Sequence, residues 1–364
     1  MKVTYIFAAA LAFAAGMALS QQQLSPEEQQ KRKDAQQRTA SFLSPEERAH
    51  LQANGKINRQ QWMADHPVRE STGLIPLPDL GTGIYKGEQG GLYPGGVNTP
   101  PPAHLKAGLA LAKKIVPLDA EGHPASDGRI VMISIGMSNT TMKFQAFQKL
   151  AKEQHDLNPK LLLVDGAQGS QVGWITSKPN TPFWDVVNQR LSAAGVTPAQ
   201  VQAAWMLQAN PGPQAEFPTE MRELQRNMVD TLHNMHDKFP NLKMTYLSSR
   251  TYAGYATSPL NPEPHAYENG FAVKWVVSDQ IGGKPEMNYD PAKGPVSAPW
   301  VAWGPYVWAD GVKPSKSGLF YVKEDYGDAD GTHPSMSGRM KVATRLMEFM
   351  KTDATTKGWF LAQK

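Results

Sequence analysis

The residue types of a serine hydrolase stand in two short segments far apart in the chain. Ser138 belongs to Ile133-Ser134-Ile135-Gly136-Met137-Ser138-Asn139, and Asp330-Gly331-Thr332-His333-Pro334-Ser335 follows much later. Ser138 offers a hydroxyl nucleophile, His333 a base, and Asp330 a carboxylate that holds the imidazole and stabilises its protonated form. Because Asp330 precedes His333 by three positions, its carboxylate can reach one ring nitrogen while the other faces Ser138; Asp328 is the alternative partner. A serine at a helix start has a simpler use as a cap. If it is a nucleophile, the N–H groups and positive end of a helix beginning near Thr140 favour a developing oxyanion. Nothing in such a set calls for a metal or an organic cofactor.

Ser138 must sit where an apolar strand gives way to a helix, at the C-terminal edge of a sheet, the place where open α/β sheets bind ligands. Apolar runs at 130–135, 161–164, 203–207 and 242–247 predict short buried strands, and helical spacing predicts helices over about 140–154, 182–194, 218–239, 265–281 and 335–350. Strands separated by helices need crossover connections. The expected architecture is therefore a flavodoxin-like three-layer α/β/α sandwich with a mostly parallel sheet. Residues 284–329 break this rhythm: they carry Pro299-Trp300-Val301-Ala302-Trp303-Gly304-Pro305-Tyr306-Val307-Trp308 with no clear period and read as an aromatic loop insertion. Trp300, Trp303 and Trp308 either stack on a ligand near His333 or pin the loop to the body.

Residues 21–102 form an extension ahead of a domain spanning 103–364. Two helix-start signals, Leu24-Ser25-Pro26-Glu27-Glu28 and Leu43-Ser44-Pro45-Glu46-Glu47, each offer a serine cap, a proline at the first helical position and first-turn acids. Residues 70–102 are rich in Gly and Pro and predict an irregular surface segment that either wraps the domain or lines a site. Residues 1–20, with Lys2, an apolar run and small residues at 18 and 20, read as a secretory signal peptide cleaved after Ser20, which implies a secreted or periplasmic protein. No later run is long enough to span a membrane. Cysteine is absent, so a packed core has to hold the fold without disulfides. Removing the signal takes one lysine and no acid, leaving 36 basic against 33 acidic residues, too mild a balance to call for nucleic acid or an anionic membrane. Composition is silent on oligomeric state.

From about Arg129 to Met350 the spaced blocks resemble the SGNH (GDSL-type) hydrolase superfamily, most closely the carbohydrate esterases of the sialate O-acetylesterase type. Gly136-Met137-Ser138-Asn139 matches the nucleophile block, with Met137 in place of the usual polar residue. Val164-Asp165-Gly166-Ala167-Gln168-Gly169 resembles the glycine block, Gly169 matching best and Gly166 being the alternative. Ala209-Asn210-Pro211-Gly212 resembles the asparagine block, and Asp330-Gly331-Thr332-His333 the block that ends in histidine. The resemblance implies a secreted serine esterase acting on acyl esters, O-acetyl foremost, of a carbohydrate. It implies an oxyanion hole made by the N–H groups of Ser138 and Gly169 and the Asn210 amide, and it places Trp174 where such esterases keep an aromatic residue. A lipid or polyester esterase, an acyltransferase and an inactive glycan-binding scaffold are the alternatives.

Other candidates have plainer uses. His233 and His236 lie three apart on a helix without a third metal ligand, and Asp325, Asp328 and Asp330 lack the spacing of a calcium loop. Asn139-Thr140-Thr141 is a glycosylation sequon, but a glycan beside the nucleophile would block it.

Overall fold

The computed structural model describes residues 38–327 and 330–362. The signal-peptide reading, the first helix-start signal at Ser25 and the alternative acid Asp328 lie outside the described residues.

Five parallel strands form the central sheet: β1 (Ile130–Gly136), β2 (Leu161–Asp165), β3 (Val201–Leu207), β4 (Met244–Leu247) and β5 (Trp300–Trp303), in the order β2-β1-β3-β4-β5. This is the flavodoxin-like order, which reverses beside β1 and leaves a crevice at the strand C-termini between β1 and β3. Alternate side chains enter opposite layers, as the period of two requires. Val131, Ile133 and Ile135 join one core with Met206, Val301 and Trp303, while Ile130 and Met132 join the other with Trp205, Leu207 and Trp300. Both faces are apolar, which is why these strands appear in the sequence as continuous hydrophobic runs.

The helices cover the two faces. In chain order those of seven or more residues are α1 (Pro45–Gly55) and α2 (Arg59–Asp65) in the extension, then α3 (Pro102–Ala112), α4 (Ser138–Lys152), α5 (Pro182–Ala193), α6 (Thr219–Lys238), α7 (His265–Ile281) and α8 (Met336–Thr352). Helices α5, α6 and α7 contribute Val187, Leu224, Met228 and Phe271 to the first core, and α4 and α8 contribute Phe144, Phe147, Val342 and Leu346 to the second.

Two sequence expectations need correction. The aromatic segment is not merely a loop: Trp300–Trp303 is the fifth strand, paired in register with Met244–Leu247. Helix α3 was not expected after the Pro100-Pro101-Pro102 run, yet proline is compatible with a first helical position. The second start signal of the extension behaves as its residues dictate. Ser44 and Glu47 form a capping box at α1, and Glu47 also pairs with Lys178 of the main domain at 2.7 Å. Further on, the Asp310 carboxylate accepts from the N–H groups of Thr72 and Gly73 at 2.6 and 2.9 Å and from the Ser71 hydroxyl at 2.5 Å. The extension is thus tied to the sheet domain at both its helical and its irregular part.

Candidate active site

The residues of interest all emerge at the C-terminal edge of the sheet. Ser138 follows β1, Gly169 follows β2, Asn210 follows β3, Arg250 follows β4, and His333 precedes α8. Ser138 opens α4, but Met137 holds the cap position and no side chain caps the helix. The serine hydroxyl is therefore free for another partner, and it finds one: Ser138 Oγ lies 2.7 Å from His333 Nε2. On the other side of the ring, His333 Nδ1 lies 2.5 Å from Asp330 Oδ2. With Nδ1 donating to the carboxylate, Nε2 is left to accept from the hydroxyl.

Asp330 is buried, and its second oxygen accepts the N–H groups of Thr332 and His333, each at 2.9 Å. Burial alone would raise its pKa. The His333 hydrogen bond and charge, together with the two backbone N–H groups, outweigh burial and hold the carboxyl below its ordinary value, so it stays an anion.

The turn into α4 depends on Gly136. Its φ of +151° lies where side chains are disfavoured, and a Cβ there would collide with the Leu207 carbonyl oxygen and the Thr140 hydroxyl, which bond each other at 2.5 Å. Gly136→Ala is expected to cost roughly 3 kcal/mol, combining backbone strain with overpacking, read as a lower denaturant midpoint.

A cavity of about 40 Å³ opens onto the serine, lined by Met137, Ser138, Asn139, Gly169, Ser170, Val172, Arg250, Leu260, Asn261 and His333. The main-chain N–H groups of Ser138 and Gly169 donate to no protein acceptor among the described residues, so both remain available at this cavity. Asn210 is fully buried, its amide nitrogen and oxygen both lack a partner among the described residues, and it does not line the cavity. Asn261 does: its Oδ1 accepts from Gly212 N–H at 2.8 Å. Gly166, the alternative glycine, packs against the Ser134 carbonyl oxygen instead.

Met137 is buried in the second core with its sulfur 3.7 Å from the Thr140 hydroxyl oxygen, so an apolar residue suits its surroundings. Asn139 is buried beside the serine, which denies a glycan access to the sequon.

Trp174, Trp300, Trp303 and Trp308 do not line this cavity and are buried. Trp174 donates to Glu223 at 2.9 Å, Trp300 to the His104 carbonyl at 3.2 Å, Trp303 to the Leu92 carbonyl at 2.7 Å and Trp308 to Glu263 at 2.7 Å. With their ring faces in the core and their N–H groups engaged, they hold the fold rather than present a stacking surface. Of the two readings left open for Trp300, Trp303 and Trp308, their burial favours the one in which they pin the segment to the body. His233 bonds the Glu286 carbonyl at 2.6 Å, and Asp325 is an ion-pair partner of Lys341 on α8 at 2.5 Å. Among the described residues no cluster of His, Asp and Glu has the number of groups needed to hold a metal.

Sequence reasoning missed Arg250 and Asn261. A charged residue directly after a buried strand, in Leu247-Ser248-Ser249-Arg250, was the available signal for the first. A second, larger cavity of about 390 Å³ lies between the extension and the same 250–264 segment, with Trp62, Arg69, Tyr85 and Glu263 among its walls.

The chain matches no protein-family model and no curated protein. Among solved structures it is similar to the periplasmic domain of a lipopolysaccharide acetyltransferase from Salmonella ser. Paratyphi A, with 11% sequence identity, a TM-score of 0.34, and coverage of 68% of this chain and 95% of that chain. No helix among the described residues is long and apolar enough to cross a membrane.

Proposed function

We propose that this protein is an exported serine ester hydrolase that removes small acyl groups, acetyl foremost, from carbohydrate hydroxyls. The observation that carries the reading is the hydrogen-bonded series from Ser138 through His333 to Asp330, assembled from opposite ends of the domain around a cavity. In this reading Ser138 Oγ attacks the ester carbonyl carbon as His333 Nε2 takes its proton. Negative charge gathers on the carbonyl oxygen, where the N–H groups of Ser138 and Gly169 can meet it. His333 then passes the proton to the leaving alcohol, and an acyl-serine remains. Water, deprotonated by the same imidazole, releases the acid and restores Ser138. Asp330 keeps Nδ1 protonated throughout and offsets the imidazolium charge. Asn210, the third oxyanion donor that the SGNH resemblance implies, has an amide without a partner among the described residues but lies outside the cavity wall, so the proposed oxyanion contacts are the two N–H groups.

The preference for a small acyl group comes from the cavity. At about 40 Å³ it has room for a few waters or an acetyl group beside the serine. A series of p-nitrophenyl esters tests this. Acetate is expected to be cleaved with a kcat/KM at least tenfold above octanoate, and acetate should be released from acetylated saccharides. A rate that rises with chain length would favour a lipid or polyester esterase instead.

A further inference from the structure

Arg250 forms part of the wall of the Ser138 cavity and is 3% exposed. Its side chain makes no hydrogen bond or ion pair among the described residues: Nε is buried without a partner, and only the main-chain N–H is engaged, donating to Asn269 Oδ1 at 3.0 Å. The acids whose charge it feels are committed elsewhere. Glu263 accepts from Ala253 N–H at 2.8 Å, Tyr267 N–H at 3.0 Å and Trp308 Nε1 at 2.7 Å, and Asp330 is taken by His333. Burial pushes the guanidinium down only to about 10, so it remains a cation at neutral pH. A second basic side chain, Lys143 of α4, is 1% exposed, and its hydrogen-bond partner among the described residues is the Thr251 hydroxyl, at 3.3 Å. Burial, and after it the charge of Arg250, hold its pKa well below the ordinary lysine value.

A buried guanidinium with no hydrogen-bonded or ion-paired acid among the described residues is unfavourable in the free protein. The cost is offset when a permanent anion occupies the cavity. A developing oxyanion is too brief to do this, and the N–H groups of Ser138 and Gly169 are already available to it. The planar fork of an arginine matches a carboxylate, which it can bind through two parallel hydrogen bonds. A carboxylate also suits a small cavity better than a tetrahedral phosphate or sulfate. We propose that Arg250 receives a carboxylate carried by the substrate close to the scissile ester, and so selects acyl esters that bear an acid group. This deepens the serine esterase reading and rests on it. The acid could sit on the alcohol, as in an acetylated uronic acid, or on the acyl group, as in a dicarboxylic hemi-ester.

The test compares matched pairs with the full chain. One pair is an O-acetylated methyl glucuronoside and the corresponding methyl glucoside; the other is p-nitrophenyl succinate and p-nitrophenyl valerate. Wild type is expected to favour the acid-bearing member of at least one pair by tenfold or more in kcat/KM, and which pair responds tells where the acid sits. Arg250→Met should remove that preference, its loss on the acid ester exceeding its loss on the neutral ester at least tenfold. Arg250→Lys, which keeps charge without the fork, should retain part of it. Because the variant removes an unpaired buried charge, the melting temperature of Arg250→Met should be equal or higher. No preference in either pair, or equal losses on acid and neutral esters, would overturn the proposal, the second result assigning Arg250 to the oxyanion. A marked fall in melting temperature would overturn it too, by making the arginine structural. If no ester is turned over faster than by Ser138→Ala, the hydrolase reading fails. The anion site then stands or falls on whether glucuronate, and not glucose, raises the melting temperature of wild type but not of Arg250→Met.

Discussion

Ser138→Ala is expected to lower kcat for acetyl ester hydrolysis by roughly 10⁵- to 10⁶-fold, as loss of the nucleophile does in serine hydrolases whose members act as a unit. The fold should survive, for a structural reason. The Ser138 hydroxyl does not cap α4, and its partner is His333 Nε2 at 2.7 Å. Its removal forfeits one partly buried hydrogen bond, worth about 1 kcal/mol, against a catalytic loss of many times that. Steady-state kinetics and a thermal melt on the same preparation separate the two. A variant that melts like wild type and turns over at the wild-type rate would place the nucleophile elsewhere.

Asp330→Asn is expected to cost about 10⁴-fold in kcat, the scale seen when an orienting aspartate loses its charge, with a much smaller change in KM. The amide oxygen can still accept the N–H groups of Thr332 and His333, so the turn is kept. The amide NH₂, however, would face His333 Nδ1, which now has to accept. The ring proton moves to Nε2, where it points at Ser138 and cannot take the hydroxyl proton. The same variant has a signature in stability. Because the folded carboxyl is held below its ordinary pKa, its stabilisation is fully present above the unfolded value of about 4 and is lost as pH falls through the lower folded value. Asparagine carries no such ionisation. Melting temperature plotted against pH should therefore fall less steeply below about pH 4 in the variant than in wild type.

Much of the fold was legible because its signals are local. β1 and β3 are apolar runs broken only by Ser134 and Gln202, and the amphipathic spacing of α6 and α8 repeats over several turns. β5 was missed because it is four residues long, buried on both faces and framed by Pro299 and Gly304-Pro305, leaving no alternation to read. Tryptophans at 300 and 303 on a strand buried from both sides are core by geometry, although their types and nearness to His333 fit a binding loop equally well. The spacing of Asp330 and His333 was readable because both lie in one turn, and the sheet edge brought Ser138 to them. Arg250 and Asn261 were not readable as cavity residues. They come from the segment between β4 and α7, which folds over the edge of β1 only in three dimensions.

The central claim, that His333 and Asp330 make Ser138 a nucleophile, is tested most directly by covalent labelling. Wild type treated with a fluorophosphonate and examined by intact mass and peptide mapping should gain a single adduct on Ser138, and His333→Ala should gain it far more slowly. Absence of an adduct, or an adduct on another residue while ester hydrolysis is abolished, would contradict the account.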